Sequence, residues 1–242
     1  MSRGDASACA RCKIDTPSRA CQEDSGQGPR SCPTLHQKPV LDRALKALEK
    51  PDIYEFARQA SIQEAEGYED RDLGYDRVRP IKPRILETIE FARRMNYRKL
   101  GLVFCMGLRR EAQAVEGLFS DHGFEMISAG CKIGRVPKEK IGIREDEKIR
   151  IGAFESMCNP IAQAMVLNEA ETEFNIVMGL CVGHDSLFLR YAQAPCTVLA
   201  VKDRVLGHNP LAAVYTLDSY YRSLKNSTGK QAFETGDSDK TD

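Results

Sequence analysis

Hydrophobic residues along this chain form short apolar runs that alternate with amphipathic stretches. Four runs of strand length occur, at residues 99–104, 124–129, 174–180 and 197–201. Between them, apolar residues recur at helical spacing, most clearly in residues 107–122. Continuous apolar strands are typical of a parallel sheet that is covered on both faces. The pattern therefore predicts an α/β fold with a doubly wound parallel sheet of about four to five strands.

The composition along the chain indicates a division into four segments. Residues 1–38 are poor in large apolar side chains and rich in cysteine, which predicts a Cys-rich metal module. Residues 39–97 show helical spacing and predict a helical connector, with a charged loop at residues 66–80. Residues 98–224 form the predicted α/β domain. The polar residues 225–242 predict a disordered tail.

Composition and charge narrow the class of protein. The 242 residues include 35 Lys and Arg against 35 Asp and Glu, and this zero net charge argues against nucleic-acid binding through bulk electrostatics. We find neither a run of about 18 apolar residues nor an apolar leader, so we expect no membrane span and no cleaved signal peptide. Nine cysteines, an odd number, fit poorly with a closed set of disulfides. We expect a cytoplasmic protein whose thiols are metal ligands, catalytic groups or buried small side chains.

Four cysteines lie where the predicted strands end. Cys105, Cys131 and Cys181 each follow a predicted strand, and Cys158 directly precedes a predicted helix start. The carboxyl ends of parallel strands meet at one edge of the sheet, where ligands bind. We expect the four thiols to hold a zinc ion or an iron–sulfur cluster there, with separate buried thiols or a catalytic thiol without metal as alternatives. Cys196 begins a predicted strand, at the opposite edge, and is expected to be a packing residue.

The N-terminal cysteines form a second group. Cys9 and Cys12 have the Cys-x2-Cys spacing that lets two thiolates approach one metal from a tight turn. Cys21 and Cys32 complete a set of four, and His36 is a further candidate ligand. A segment this polar cannot order itself by hydrophobic burial, so we expect a metal to hold it. A flexible tail that contains thiols is the alternative.

Polar residues near the same sheet edge are candidates for catalysis and anion binding. His184 and His208 each follow a glycine and precede a predicted helix. We predict that His184 acts as an acid or a base, and that His208 and Arg109 bind an anionic group of the substrate. The alternatives are a hydrogen bond within its own loop for each histidine, and a solvated helix surface for Arg109 and Arg110.

Six motifs carry a resemblance to a known family. They are CARC at residues 9–12, CP at 32–33, GLVFCMGLRREA at 101–112, SMCNPIAQA at 156–164, GLCVGHDSLF at 179–188 and VKDRVLGHNPLAA at 201–213. In these motifs the chain resembles an uncharacterised bacterial and archaeal family, a cysteine-rich domain of unknown function that is labelled a metal-binding protein. The resemblance extends from Cys9 to about Leu224. It implies metal binding at cysteine-rich sites and implies no reaction.

The leading hypothesis from the sequence is an iron–sulfur protein. One cluster would be held by the four cysteines at the sheet edge, and the N-terminal group would hold a second cluster or a zinc ion. Two clusters in one chain indicate electron relay, in which the N-terminal cluster feeds an edge cluster that acts on a small anionic substrate. The small-molecule or electron-transfer partner is not specified by the sequence. Two alternatives are a non-enzymatic zinc-binding or metal-sensing protein and a thiol enzyme with Cys158 or Cys181 as the nucleophile.

Overall fold

The computed structural model describes residues 6–225, which form two compact units that divide between Ile81 and Lys82. The predicted disordered tail lies outside the described residues from position 226 onward. The predicted segment boundaries near residues 38 and 97 stay predictions. Within residues 6–225, no helix has the length and the hydrophobicity that a membrane span requires.

The first unit is mainly helical. Its helices are α1 (Pro33–His36), α2 (Lys38–Leu48) and α3 (Pro51–Glu66), and each has a proline in its first turn, where a missing N–H costs nothing. A short antiparallel ladder of β1 (Tyr68–Glu69) and β2 (Arg79–Pro80) follows. Among the residues described in this unit, no large hydrophobic side chain is buried.

The ladder of β1 and β2 stands in a stretch that the sequence pattern predicts to be a loop. Arg79 of β2 forms ion pairs of 2.7 Å with Glu69 of β1 and with Asp70, the residue that follows β1. Charge pairs across a ladder stabilise it without any hydrophobic alternation. The hydrophobic pattern therefore contained no signal for these strands.

The second unit contains a four-stranded parallel sheet. Its strands are β3 (Lys99–Phe104), β4 (Glu125–Gly130), β5 (Phe174–Met178) and β6 (Cys196–Ala200), in the order β4-β3-β5-β6. The helices of this unit are α4 (Arg84–Arg94), α5 (Arg109–Asp121), α6 (Pro160–Glu169), α7 (His184–Tyr191) and α8 (Leu211–Tyr215). The strand order reverses between β3 and β5, which confirms the predicted doubly wound α/β fold.

The core of the second unit lies around the two central strands. All five residues of β5 are buried, and so are four of the six residues of β3. Leu167 of α6 and Phe188 of α7 have no exposed surface and belong to this core. Strands that are buried on both faces show no alternation of polar and apolar residues, which explains the continuous apolar runs of the sequence.

Gly101 lies inside β3 with no space for a side chain. A Cβ atom at this position would overlap Asn175 Oδ1 and would stand 2.5 Å from Leu167 Cδ1. Asn175 is fully buried, and its Oδ1 atom accepts a hydrogen bond of 2.8 Å from Thr172. We therefore expect Gly101→Ala to lower the free energy of unfolding by about 1–3 kcal/mol, as measured by urea unfolding.

Gly117 in α5 provides the matched control for this substitution. A Cβ atom there meets no atom within 4 Å, and the backbone is helical. Gly117→Ala is therefore expected to raise the free energy of unfolding by about 0.5–1 kcal/mol. Equal effects of the two alanines would contradict the close contact at Gly101.

Candidate functional site

Backbone hydrogen bonds at the carboxyl edge of the sheet bring three cysteines together. Cys105 directly follows β3 and Cys131 directly follows β4, and the Cys131 N–H donates to the Phe104 carbonyl at 3.0 Å. The Asn159 N–H donates to the Cys131 carbonyl at 2.8 Å, which holds Cys158 against Cys131. The Asn159 side chain also caps the first turn of α6, as its sequence position predicts.

The three thiols form a rim cluster, a name we use for Cys105, Cys131 and Cys158. The Sγ atoms of Cys131 and Cys158 are 3.7 Å apart, and Cys131 also shares a hydrogen bond with Cys105. The Met106 N–H donates to Cys131 Sγ at 3.4 Å. Cys131 is 3% exposed, whereas the other two cysteines are half-buried. Cys131 is therefore the central thiol of the rim cluster.

A buried glutamine holds the strand ends that carry the rim cluster. Gln163 Nε2 donates to the carbonyl of Phe104 at 3.3 Å and to that of Ala129 at 2.7 Å. These bonds join the ends of β3 and β4, one residue before Cys105 and two residues before Cys131. The sequence analysis missed Gln163. The one feature of the sequence that could have indicated Gln163 is its polar side chain within the otherwise apolar stretch 160–167.

Hydrogen bonding inside the rim cluster separates the acidities of its thiols. The hydrogen bond with Cys131 lowers the pKa of Cys105 to about 5, against the opposing effect of burial. The pKa of Cys158 is also lowered to about 5, again first by its hydrogen bond with Cys131. The pKa of Cys131 is raised, by its hydrogen bonds with Cys105 and Cys158 and by burial. At neutral pH the central thiol therefore keeps its proton, and the two outer thiols are thiolates.

A cation accompanies each of three thiols at this edge of the sheet. The pairs are Lys132 beside Cys158, Lys202 beside Cys105, and Arg204 beside Cys181. The charges of the two lysines add to the lowering of the neighbouring thiol pKa values. The sequence analysis missed all three cations, because a lysine or arginine in a polar loop has no periodic signal.

Alkylation of the metal-free protein by iodoacetamide checks these pKa values. Only the thiolate reacts, so a lowered pKa moves the onset of reaction to lower pH. The reaction of Cys105 and Cys158 is expected to rise through a midpoint near pH 5. Cys196 is the internal control, because burial raises its pKa, and it is expected to react only in alkaline solution. Mass spectrometry of the separate peptides measures each site.

Lysine variants extend this alkylation experiment. Lys132→Met is expected to raise the pH midpoint for alkylation of Cys158 and to leave the midpoint of Cys105 unchanged. Lys202→Met is expected to raise the midpoint of Cys105 and to leave that of Cys158 unchanged. A common midpoint for Cys105, Cys158 and Cys196 would contradict the hydrogen-bonded rim cluster.

The remaining two cysteines of the second unit have other contacts. Arg204 Nη2 donates to Cys181 Sγ at 3.0 Å, so the contact that the structure gives to Cys181 is with a guanidinium rather than a thiol. The structure thus brings together three of the four cysteines predicted for this edge. Cys196 begins β6, packs against the core and donates to the Ala194 carbonyl at 3.3 Å, as expected of a packing residue.

The predicted catalytic and anion-binding residues occupy different surroundings. His184 is the first residue of α7, and its Nδ1 atom is buried with no hydrogen-bond partner in the described part of the chain. His208 Nδ1 accepts a hydrogen bond of 3.1 Å from the Asp203 N–H, within its own loop. Arg109 is exposed at the start of α5. The catalytic role of His184 and the anion-binding roles of His208 and Arg109 stay predictions.

The four N-terminal cysteines line a single cavity. Cys9, Cys12, Cys21 and Cys32 surround a volume of about 110 Å³. The Cys12 N–H donates to the Cys9 carbonyl at 3.0 Å and closes the tight turn that the Cys-x2-Cys spacing predicts. His36, the further candidate ligand, does not line this cavity, and its N–H donates to the Cys32 carbonyl at 3.1 Å.

The cysteine side chains would have to move before either group could bind a metal. All nine cysteines are free thiols. Among residues 6–225, no group of three or more His, Cys, Asp or Glu side chains has the arrangement of a metal site. A metal at either group of cysteines would therefore require thiol side chains to turn toward a common point.

Comparison with known proteins gives a family and a relative. A family described as "Protein of unknown function (DUF1847)" matches residues 32–199, which include the whole rim cluster, Cys181 and Cys32. An uncharacterized protein of Methanocaldococcus jannaschii is 47% identical over 140 residues, which cover 58% of this chain and 69% of that protein. The matched residues begin after Cys9, Cys12 and Cys21. The chain belongs to the DUF1847 family, a family of unknown function.

Proposed function

We propose that the protein binds a metal through the rim cluster, as an iron–sulfur cluster or as zinc, and a second metal through its N-terminal cysteines. The observation that supports the rim site is the distance of 3.7 Å between the Sγ atoms of Cys131 and Cys158. Two thiolates on one tetrahedral ion, with metal–sulfur bonds of about 2.3 Å, lie about 3.8 Å apart. A zinc ion and each iron of a two-iron cluster both hold pairs of protein ligands in this way.

The protonation of the rim cluster favours a metal. Cys105 and Cys158 are thiolates at neutral pH, and both share the proton that stays on Cys131. A metal cation that replaces this proton would be surrounded by three sulfur atoms. Its binding would release only one proton from the rim cluster, so the cost of deprotonating the ligands is small.

The identity of the metal determines the chemistry of the site. The rim cluster supplies three ligands, and Cys181 is the fourth that the sequence predicts. A bound iron–sulfur cluster would supply one-electron transfer, and its potential would respond to the cations near its sulfur ligands. Zinc with four protein ligands would form a closed site with no open position for chemistry. Such a site suits a non-enzymatic zinc-binding or metal-sensing protein.

The charges around the rim cluster favour an anionic partner. Lys132 and Lys202 lie beside its two thiolates, and Arg204 lies beside Cys181. A small anion or an acidic electron-transfer protein fits these charges. The overall balance of charge gives no support for a nucleic-acid partner. Nine free thiols suit a reducing compartment, and we place the protein in the cytoplasm.

The test of the rim site is a metal analysis of anaerobically purified protein. Iron, zinc and acid-labile sulfide are counted per chain, and the visible absorption spectrum is recorded. Cys131→Ser is expected to lose the rim metal and retain the N-terminal one, whereas Cys196→Ser is the matched control and is expected to retain both. Cys105→Ser is the second rim variant, because Cys105 is half-buried and its replacement disturbs the core less. Equal metal content in all forms would overturn the rim proposal.

A cysteine-nucleophile enzyme is the second candidate function. The observation that favours it is the lowered pKa of Cys158, about 5, at a half-buried position. A thiolate at neutral pH is the reactive form of such a nucleophile. If Cys158→Ser abolishes the fast alkylation and leaves the metal content unchanged, the thiol enzyme is favoured over the metal site.

A further inference from the structure

Two thiols of the rim cluster are in direct contact. The Sγ atoms of Cys131 and Cys158 are 3.7 Å apart, and both side chains are free thiols. A disulfide bond is about 2.05 Å long, so the two sulfur atoms have to approach each other by roughly 1.7 Å to form one. The pair therefore starts close to bonding distance.

The backbone holds these two cysteines side by side. The Asn159 N–H, directly after Cys158, donates to the Cys131 carbonyl at 2.8 Å. Pro137 and Ser156 form an antiparallel bridge within the segment that connects the two cysteines. This segment therefore returns on itself, and its ends lie together in the reduced protein. A disulfide that joins ends already held in place costs little additional chain entropy.

The two thiols differ in exposure, and this difference assigns their roles. Cys158 is half-buried and lies in neither a helix nor a strand, so a small oxidant can reach its sulfur. Cys131 is 3% exposed and touches Cys158, which is the arrangement of a resolving thiol beside a reactive one. The oxidant therefore meets Cys158 first, and Cys131 completes the reaction.

The other three cysteines of the second unit are less suited to this reaction. The sulfur of Cys181 accepts a hydrogen bond of 3.0 Å from a guanidinium, and the thiol of Cys196 donates to a backbone carbonyl at 3.3 Å. Cys105 also contacts Cys131, but its own N–H donates to the Met178 carbonyl at 3.3 Å and fixes its backbone to the sheet. Cys158 is therefore the preferred partner of Cys131.

We propose that Cys131 and Cys158 form a redox-active dithiol, which a peroxide oxidises to a disulfide. The Cys158 sulfur attacks one peroxide oxygen, an S–O bond forms, the O–O bond breaks, and the departing hydroxide takes the Cys158 proton as water. The Cys131 sulfur then attacks the sulfenic sulfur, the S–S bond forms, and hydroxide leaves with the Cys131 proton as a second water. The pair loses two electrons, which the peroxide gains, and a dithiol reductant reverses the reaction.

The disulfide would also control metal binding at the rim, and this consequence rests on the proposed function. Only a thiolate is a metal ligand, and the disulfide uses two of the three thiols of the rim cluster. Oxidation would therefore release the rim metal, and reduction would restore the site. Transient disulfides that sense oxidants are the kind that occurs in reducing compartments.

Peptide mapping of the full-length, metal-free protein tests the dithiol. The protein is treated at neutral pH with one equivalent of hydrogen peroxide, its free thiols are blocked with iodoacetamide, and it is cleaved after glutamate without reduction. Cleavage after glutamate places Cys131 in residues 126–139, Cys158 in residues 156–169 and Cys105 in residues 91–111. Mass spectrometry is expected to find residues 126–139 linked to residues 156–169, and a dithiol reductant is expected to separate them.

Three variants distinguish the roles of the two thiols. Cys158→Ser is expected to lose the cross-linked product completely. Cys131→Ser is also expected to lose it, but Cys158 then remains a sulfenic acid, which dimedone traps as an adduct on residues 156–169. Cys196→Ser is the matched control and is expected to keep the cross-link. Circular dichroism of each metal-free variant confirms its fold, and Cys158→Ser is the milder substitution because Cys158 is half-buried.

Zinc content measures the consequence for the rim metal. Peroxide treatment is expected to lower the zinc that the wild-type protein binds by one ion per chain, and a dithiol reductant is expected to restore it. Cys131→Ser is the reference, because its rim site is already lost and any further loss of zinc reports the N-terminal cysteines alone.

The outcomes separate this inference from the proposed function. A cross-link that joins Cys131 to Cys105, or oxidation of Cys158 to a sulfinic acid without a cross-link, would overturn the dithiol and leave the rim metal standing. If the cross-link between Cys131 and Cys158 forms but the zinc content stays the same, the dithiol stands and the proposed rim site falls.

Discussion

Cys12→Ser is expected to abolish the folded structure of residues 6–36. In this segment no large hydrophobic side chain is buried, and its four cysteines line one cavity. A structural zinc ion contributes about 10–16 kcal/mol of apparent binding free energy in small zinc-binding peptides, far more than the exposed apolar contacts of such a segment supply. Loss of one of the four proposed ligands should therefore remove the main source of order. Amide hydrogen exchange of residues 6–36 measures the effect, which is expected to approach the rate of an unfolded chain.

Ser31→Ala is the matched control for the N-terminal substitution. Ser31 lines the same cavity but has no thiol, so its replacement should leave both the metal and the slow exchange intact. A chelator added to the wild-type protein should reproduce the effect of Cys12→Ser. Slow exchange of residues 6–36 in Cys12→Ser would show that another interaction orders the segment.

Phe188→Ala is expected to cause the largest loss of stability in the second unit. Phe188 has no exposed surface and belongs to the same core cluster as residues of the central strands and of α6. Removal of a buried phenylalanine side chain leaves a cavity and costs about 3–5 kcal/mol of the free energy of unfolding. Urea unfolding of the metal-free protein measures this loss.

Leu189→Ala is the control on the same helix. Leu189 is 46% exposed, so its truncation is expected to change the free energy of unfolding by about 0.5 kcal/mol or less. The two substitutions remove apolar side chains from adjacent positions of α7 and differ mainly in burial. A similar loss of stability in both variants would contradict the position of α7 in the structure.

The hydrophobic pattern was sufficient to predict the parallel sheet. The apolar run at residues 99–104 corresponds to β3, and the doubly wound order of the strands is confirmed. The end of β5 differs by two residues, because the strand stops at Met178 and Gly179 then adopts a positive φ of 65°. A glycine inside an apolar run does not by itself predict the end of a strand, because Gly101 lies inside β3 without ending it.

The sequence was also sufficient to select the cysteines at the edge of the sheet. In a parallel sheet every strand points the same way, so a residue that follows any strand lies at one edge. This rule needs no knowledge of the strand order, and it selected Cys105 and Cys131 from local patterns alone. It also set Cys196 apart, because Cys196 begins a strand.

The contacts among these residues depend on the tertiary structure. Cys131 is central because β4 lies beside β3, and because a backbone hydrogen bond from Asn159 holds Cys158 against it. Lys202 reaches Cys105 from the end of β6, a strand that is separated from β3 by β5. Periodicity reports which face of an element is buried, but it contains nothing about which element lies next to it. For that reason the chain alone selected the thiols at the rim, and only the tertiary structure established which of them lie in contact and which cation stands beside each.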